Sequence, residues 1–264
     1  MLFDLMLGIV IGIILALTGA GGGILAVPLL VFGAGMNVAE ASPVGLLAVG
    51  LAAAFGAVLG LKAGIVRYKA ALLTAVSGMA FAPAGLWLVH RTDNRWLMIL
   101  FALVLFYVGV KMAWRRHGQA SGGIAESRRA CVSSASTGKF VWNAPCAIQL
   151  ALSGMVAGFL SGLLGVGGGF VMVPALRRST DLSMKSVVAT SLAVIALVSI
   201  AGVLASGING NLDVSIALPF SGGALLGMMA GRTMASRLPG PRLQQGFGMV
   251  ACVVATGMLL KVFL

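Results

Sequence analysis

Two glycine-rich stretches have the residue types and spacing of a backbone anion site. The first reads GAGGGILAVP over residues 19–28, and the second reads GVGGGFVMVP over residues 165–174. Glycine carries a large entropy cost in a helix and proline lacks an amide donor, so each stretch should interrupt a helix. A helix that restarts after glycines presents unpaired N–H groups and the positive end of its dipole, which attract anions.

The candidate anion contacts are backbone amides and neutral side chains, because no Lys or Arg lies deep within an apolar run. The predicted substrate-binding residues are Gly21, Gly22, Gly23, Gly167, Gly168, Gly169, Thr190, Ser191 and Ser42. Further candidate donors are Thr18, Ser161, Asn209 and Asn211, and the predicted helix breaks are Pro28 and Pro174. Two alternatives remain open: membrane glycines often serve close packing, and buried hydroxyls often bond a carbonyl of their own helix.

The composition is typical of a polytopic helical membrane protein. Hydrophobic residues make up 59% of the 264-residue chain, and charged residues only 9%. Uncharged runs at 41–61, 70–89 and 186–207 each reach the roughly 20 residues that span a bilayer core. The net charge of +12 comes from basic residues between these runs, as the positive-inside rule describes, so we expect no nucleic-acid partner.

The glycine stretches belong to an internal repeat with an offset of 146 residues. Gly12, Gly64 and Phe101 recur as Gly158, Gly210 and Phe247 at that same offset. We therefore divide the chain into a first membrane repeat (1–112), a polar linker (113–146) and a second membrane repeat (147–264). The predicted apolar segments are 5–38 (interrupted), 41–61, 70–89 and 96–110, then 147–176 (interrupted), 186–207, 214–231 and 243–260.

The positions of Lys and Arg predict how each interrupted segment crosses the membrane. If these segments crossed once, ten and eight of the 18 basic residues would lie on the two sides. If they were hairpins, fifteen would lie on one side, and only Arg91, Arg95 and Lys261 on the other. The asymmetry favours hairpins, with the linker cytoplasmic and both termini outside. Each half then has one hairpin and three spanning helices, and the halves form an inverted repeat, as in many secondary transporters.

The chain lacks residues arranged for enzymatic chemistry. Cys131, Cys146 and Cys252 have no CxxC spacing, so we expect neither a disulfide framework nor a zinc site. No histidine, cysteine pair or carboxylate dyad lies within an apolar run, so we expect no catalytic residue, metal or cofactor. Residues 5–17 lack a positive n-region and match part of the second half, so they should belong to the fold rather than to a signal peptide.

The doubled glycine motif, the chain length and the two-half layout resemble the sulfite exporter TauE/SafE family of membrane anion permeases (the toluene sulfonate uptake permease group). The resemblance covers essentially the whole chain. It implies transport of sulfite, thiosulfate, sulfoacetate or other organosulfonates across a bacterial cytoplasmic membrane. One departure is that residues 189–192 read ATSL, whereas the place we align with them in the first half, residues 41–44, reads ASPV.

We therefore expect a secondary transporter that holds its anion at the two helix breaks near the membrane midplane. The alternatives are a channel-like anion facilitator and, from another class, a membrane-embedded enzyme that acts on sulfur compounds. The expected partners are the sulfur anion and membrane lipid. The sequence leaves open which anion is moved, in which direction, with which coupling ion, and whether the chain forms a homo-oligomer.

Overall fold

The computed structural model of the chain describes residues 2–19, 22–113, 131, 143–180, 182–208, 213–235 and 240–263, which are almost entirely α-helical. The helices of the first half are α1 (Leu2–Thr18), α2 (Gly22–Gly33), α3 (Val38–Lys62), α4 (Tyr68–Arg91) and α5 (Asn94–Ala113). Those of the second half are α6 (Ala144–Leu164), α7 (Gly169–Ser179), α8 (Met184–Ile208), α9 (Val214–Ala235) and α10 (Gly240–Phe263). Within this described part, α3, α4, α5, α6, α8 and α9 are long and apolar enough to cross a membrane. The predicted fold class, an all-α polytopic membrane protein, is confirmed.

The last three helices of each half begin at the same 146-residue spacing as the glycine motifs. α3, α4 and α5 begin at residues 38, 68 and 94, and α8, α9 and α10 begin at residues 184, 214 and 240. α6 already begins at Ala144, within the predicted linker 113–146. Apart from Ala113, Cys131 and Asn143, the linker residues that precede α6 lie outside the described part of the chain.

The glycines, rather than the prolines, interrupt the helices. α2 begins at Gly22 and α7 begins at Gly169, directly after the glycine turns. Pro28 and Pro174 lie inside α2 and α7, so the prediction that the prolines mark the breaks is wrong. Membrane helices tolerate an internal proline because neighbouring groups satisfy the carbonyl that it frees.

The first helix of each half packs against the fourth helix of the other half. α1 packs along α9, and α6 packs along α4. A Cβ atom on Gly12 would meet the Ala224 carbonyl of α9, and one on Gly158 would meet the backbone of Gly78 in α4. Small residues at such contacts let two helix backbones approach closely in lipid. The two halves are therefore interlocked through equivalent contacts.

The two long central helices, α3 and α8, run antiparallel. Gly60 near the end of α3 lies against Ala189 near the start of α8. Gly202 near the end of α8 lies against Leu46 near the start of α3. Because α3 and α8 are equivalent in the repeat, their opposite directions support the predicted inverted relationship between the halves.

The two ends of each glycine hairpin lie close together. In hairpin one (α1, residues 19–21 and α2), a Cβ atom on Gly33 at the end of α2 would lie 2.6 Å from Leu7 Cδ1 in α1. In hairpin two (α6, residues 165–168 and α7), Cys131 contacts both ends. It forms a disulfide with Cys146 in the first turn of α6 and donates its amide to the carbonyl of Ser179 in α7. These contacts support hairpins that enter and leave on one side.

The disulfide between Cys131 and Cys146 corrects the expectation that the cysteines form no disulfide framework. The Cα atoms of Cys131 and Cys146 are 5.0 Å apart, within the distance that a disulfide bridges. The two cysteines are 15 residues apart, a spacing that matches no known motif. The contact of Cys131 with the end of hairpin two, which the sequence does not reveal, brings the thiols together. Cys252 is free.

Polar contacts assign the loops to two faces of the molecule. On one face, the Val38 amide donates to Asn94 Oδ1 at 3.1 Å, and the Lys261 ammonium donates to the Val31 carbonyl at 3.4 Å. On the other face, the backbone amide of Arg67 donates to Thr190 Oγ1 at 3.1 Å. The division supports the prediction that Lys261 and the α4–α5 loop share one side of the membrane.

Candidate functional site

Hairpin one turns at Gly19 and is closed by its own threonine. Gly19 has a φ of 74°, in the left-handed region that glycine adopts without steric cost. The Thr18 hydroxyl donates to the Ile14 carbonyl at 2.7 Å and accepts a hydrogen bond from the Gly22 amide at 3.2 Å. A side chain thus satisfies an amide that a helix start otherwise leaves unpaired. The predicted contact Gly21 lies outside the described residues.

Hairpin two has a longer glycine turn without this cap. Gly165, Gly167 and Gly168 have φ values of 65°, 70° and 66°. Gly168 is the N-cap of α7, and none of the described side chains accepts a hydrogen bond there. The position equivalent to Thr18 is Leu164, whose side chain has no acceptor atom. The first amides of α7 are therefore the donors best placed to receive an anion.

The two glycine tips meet beside the midpoints of α3 and α8. A Cβ atom on Gly23 would lie 2.6 Å from the Val166 carbonyl oxygen and 3.2 Å from Val49 Cγ1. One on Gly167 would lie 2.9 Å from Ile195 Cγ2 and 3.3 Å from Val49 Cγ1. Val49 and Ile195 are next to the central residues of α3 and α8. Positions 23 and 167 therefore admit glycine but no larger residue.

Two of the predicted hydroxyl contacts are bonded to backbone carbonyls. Ser42 donates to the carbonyl of Val38 at 2.7 Å, one turn earlier in α3. Ser191 donates to the carbonyl of Val188 at 2.9 Å and lies 3.4 Å from the carbonyl oxygen of Gly19 in hairpin one. Both hydroxyls therefore stabilise the first turns of α3 and α8 or the adjacent turn of hairpin one.

The predicted alignment of the two hydroxyl segments is out of register by two residues. The 146-residue spacing of the helix starts makes Ser42 equivalent to Val188. The packing agrees: a Cβ atom on Gly165 would meet Ser42, and one on Gly19 would meet Val188. Thr190, the predicted counterpart of Ser42, accepts a hydrogen bond from the Arg67 amide and so contacts the α3–α4 loop.

Three buried serine hydroxyls have no hydrogen-bond partner among the described residues: those of Ser161, Ser199 and Ser221. Ser161 was a predicted donor, whereas Ser199 and Ser221 were missed. Ser199 Oγ lies 3.4 Å from the position of a Cβ atom on Gly167, at the tip of hairpin two. The one signal in the sequence was a serine in the middle of the uncharged run 186–207.

Charged groups lie away from this centre. Residues 41–61 of α3, residues 186–208 of α8 and all of α2 contain no charged residue. Asp213 precedes α9, where the Ser215 hydroxyl and amide donate to its carboxylate and hold its pKa below the ordinary value. Across the described ranges, no group of three or more His, Cys, Asp or Glu residues could hold a metal ion. An anion at the centre would therefore bind to neutral donors.

A model of the family described as sulfite exporter TauE/SafE matches residues 5–258. The chain belongs to this family. The match includes both glycine hairpins and the central helices α3 and α8, so the resemblance seen in the doubled motif is confirmed.

Three relatives of this TauE/SafE protein are each named as a probable membrane transporter protein. The relative from Xylella fastidiosa (strain Temecula1) is 28% identical over 255 residues, covering 94% of this chain and 90% of its own. YunE of Bacillus subtilis is 28% identical over 232 residues, covering 84% and 83%. The relative from Methanocaldococcus jannaschii is 27% identical over 206 residues, covering 76% and 70%. No solved structure matches the chain. The family and these relatives indicate a multi-pass membrane transporter.

Proposed function

We propose that this TauE/SafE-family transporter moves sulfur-containing anions across the bacterial cytoplasmic membrane. The proposed substrates are sulfite, thiosulfate, sulfoacetate and other organosulfonates. The family description, which names sulfite export, supports this substrate class. The uncharged interior also suits it, because an anion held by neutral donors can be released again, whereas a buried ion pair would hold it tightly.

The observation that carries the proposal is the meeting of the two glycine tips beside the midpoints of α3 and α8. Gly23 contacts the carbonyl of Val166, and Gly167 contacts Ile195 and Val49. A helix begins at each tip, so amide groups and positive dipole ends converge at the depth where secondary transporters hold their substrates. The anion contacts in this proposal are the backbone amides of Gly23 and Gly167–Gly169, because the Gly22 amide already donates to Thr18.

The proposed cycle is alternating access, in which rigid groups of helices rock around the anion. The interlocked pairs α1–α9 and α4–α6 support rigid units that each contain helices of both halves. In the proposed orientation, the loop around Arg67 and the linker face the cytoplasm, and the Asn94 and Lys261 face lies outside. The channel-like facilitator and the membrane-embedded enzyme are the two alternatives that the experiment must separate.

Purified protein in liposomes tests the proposal. We expect radiolabelled sulfite, thiosulfate or sulfoacetate to enter faster than into protein-free liposomes. Preloading with the same unlabelled anion should accelerate entry, because a carrier exchanges substrates across the membrane. Entry without such counterflow would favour a channel, and chemical conversion of the anion would favour an enzyme. If none of the three anions moved or changed, the proposed substrate class would be wrong.

A further inference from the structure

Ser199 lies on α8 beside the tip of hairpin two, and its buried hydroxyl has no hydrogen-bond partner among the described residues. Its side chain is 1% exposed, and its hydroxyl makes no hydrogen bond to any of them. An unpaired buried hydroxyl is destabilising, so such groups are rare unless a ligand or water binds them. Ser199 therefore carries a donor that the fold itself does not use.

A second serine on the same helix shows what Ser199 would do in a purely structural role. Ser206 is equally buried on α8 and donates to the carbonyl of Gly202, four residues earlier, at 2.9 Å. This bond to the preceding turn is the ordinary arrangement of a serine in a membrane helix. Ser199 does not make it, so its proton is available to another acceptor.

Two glycines create the space in which the Ser199 hydroxyl lies. A Cβ atom on Gly50 of α3 would lie 2.7 Å from Ser199 Cβ and 3.3 Å from its Oγ. A Cβ atom on Gly167 would lie 3.4 Å from the same Oγ. Gly167 directly precedes the N-cap Gly168 of α7, which none of the described side chains caps. The free hydroxyl therefore lies beside the glycine turn that leads into the uncapped start of α7.

The other half lacks this pair of features. The repeat equivalents of Ser199 and Gly50 are Ala53 and Ala196, which are both buried and apolar. At hairpin one, the Gly22 amide is already bonded to Thr18. A free hydroxyl beside an uncapped helix start is thus found only at hairpin two within the described chain.

We propose that the Ser199 hydroxyl and the first amides of α7 together bind the oxygen atoms of the transported anion, so that the site is one-sided and centred on hairpin two. This assignment rests on the proposed anion-transport function and deepens it. Ser199 donates one hydrogen bond, and the amides at Gly168 and Gly169 supply the others. The valine and isoleucine side chains at residues 49 and 195 form the apolar wall beside them.

The test compares Ser199→Ala with Ser206→Ala in the purified full-length protein. Binding of sulfite, thiosulfate, sulfoacetate, phosphate and acetate is measured by titration calorimetry in detergent, and thermal unfolding is measured without anion. We expect Ser199→Ala to weaken anion binding about 10- to 100-fold, as the loss of a hydrogen bond to a charged group does. We expect Ser206→Ala to change it less than about twofold, because that hydroxyl is bonded within its own helix.

Unfolding without anion separates a binding role from a structural one. Ser199→Ala removes an unpaired buried hydroxyl, so we expect its unfolding midpoint to rise by about 2 °C. Weaker binding together with a lower midpoint would show a structural role and would overturn the assignment.

The anion panel separates the failure of Ser199 from the failure of the substrate class. Unchanged sulfur-anion binding in Ser199→Ala would overturn the one-sided site and leave the proposed function standing. If the wild-type protein bound only phosphate or acetate, and Ser199→Ala weakened that binding, the assignment of Ser199 would stand and the sulfur substrates would be wrong. Absence of binding to all five anions would overturn both.

Discussion

Hairpins one and two share a glycine motif but differ in the hydrogen bonding at their tips. In hairpin one, the Thr18 hydroxyl bonds the Gly22 amide at the start of α2. In hairpin two, Leu164 replaces that threonine, and no described side chain caps Gly168 at the start of α7. An uncapped helix start in an apolar environment is costly unless another group binds it.

The difference shows that the duplicated residues and the unduplicated residues have separate roles. The glycines recur in both halves because each turn needs left-handed backbone and close backbone contact. The residues that differ between the halves, Thr18 against Leu164 and Ala53 against Ser199, decide whether a tip is closed by the protein or left open. A nearly symmetric scaffold can therefore carry an asymmetric site.

The largest expected effect comes from adding a methyl group to the turn of hairpin two. Gly168 and Gly35 have φ values of 66° and 68°, but a Cβ atom would lie 2.5 Å from the Ala157 carbonyl oxygen at Gly168, whereas nothing lies within 4 Å at Gly35. We expect Gly35→Ala to lower the free energy of unfolding by about 1–2 kcal/mol, from backbone strain alone. We expect Gly168→Ala to lower it by about 2–5 kcal/mol, because overpacking adds to the strain.

Thermal unfolding and gel filtration in detergent measure both variants, with Gly35→Ala as the matched control. Equal losses would mean that α6 yields to the new methyl group, which would contradict the close contact at the hairpin-two turn. The same contacts limit what larger substitutions can report. A Cβ atom on Gly22 would meet the backbone of Leu15, so loss of transport in Gly22→Val would reflect packing as much as substrate contact.

An intermediate effect is expected from opening the tip of hairpin one. Thr18→Val keeps the shape of the side chain but leaves the Gly22 amide without its acceptor. We expect the free energy of unfolding to fall by about 1–3 kcal/mol, the cost of an unsatisfied buried donor. Thr18→Ser retains the hydroxyl and should stay close to the wild type. Because the proposed site is centred on hairpin two, anion affinity should change less than about twofold in either variant.

The measurement pairs thermal unfolding with anion titration on the same samples. A change of affinity in Thr18→Val, in either direction, as large as that in Ser199→Ala would contradict a one-sided site. It would indicate instead that the tip of hairpin one also contacts the anion.

Much of the fold could be predicted from the sequence, because its signals are local or periodic. The apolar runs predicted the long helices, and the 146-residue offset predicted which helices of the two halves are equivalent. The charge asymmetry favoured hairpins, which the contacts of Gly33 with α1 and of Cys131 with both ends of hairpin two support. The prolines misled the prediction because a membrane helix can continue through a proline, whereas the glycine turns supply the left-handed residues.

The site was predicted less well because it depends on contacts that are distant in the sequence. The predicted contacts Ser42 and Ser191 lie near helix starts, where each bonds a carbonyl of its own helix. Ser199 becomes a candidate only once α3 places Gly50 beside it and hairpin two places Gly167 there. Neither contact follows from hydrophobic periodicity, which specifies a buried face but not the atom opposite a given hydroxyl.

The smallest effect on transport is expected at the ends of the hairpins, far from their tips. In hairpin two, Cys131 connects the two ends through its disulfide with Cys146 in α6 and its amide bond to Ser179 in α7. In hairpin one, the apolar contact of Leu7 with Gly33 connects them. In the proposed orientation, the hairpin-two ends lie on the cytoplasmic side, where disulfides are rare. We therefore expect both thiols to be reduced in growing cells, and the disulfide to close after purification in air.

The free thiols are counted by gel shift. Cells are quenched with acid, and the denatured protein is alkylated with a maleimide of high mass. We expect three free thiols in cells and one, Cys252, in the air-oxidised protein. The variant Cys252→Ser should have two free thiols in cells and none in the air-oxidised protein, which would confirm that Cys252 is the free cysteine. Transport in liposomes should differ less than about twofold between the two redox states, because the bond lies at the ends of the hairpin rather than beside Gly167 or Ser199. A single free thiol in cells would place the hairpin-two ends in an oxidising compartment, and the proposed orientation of both hairpins would then be reversed.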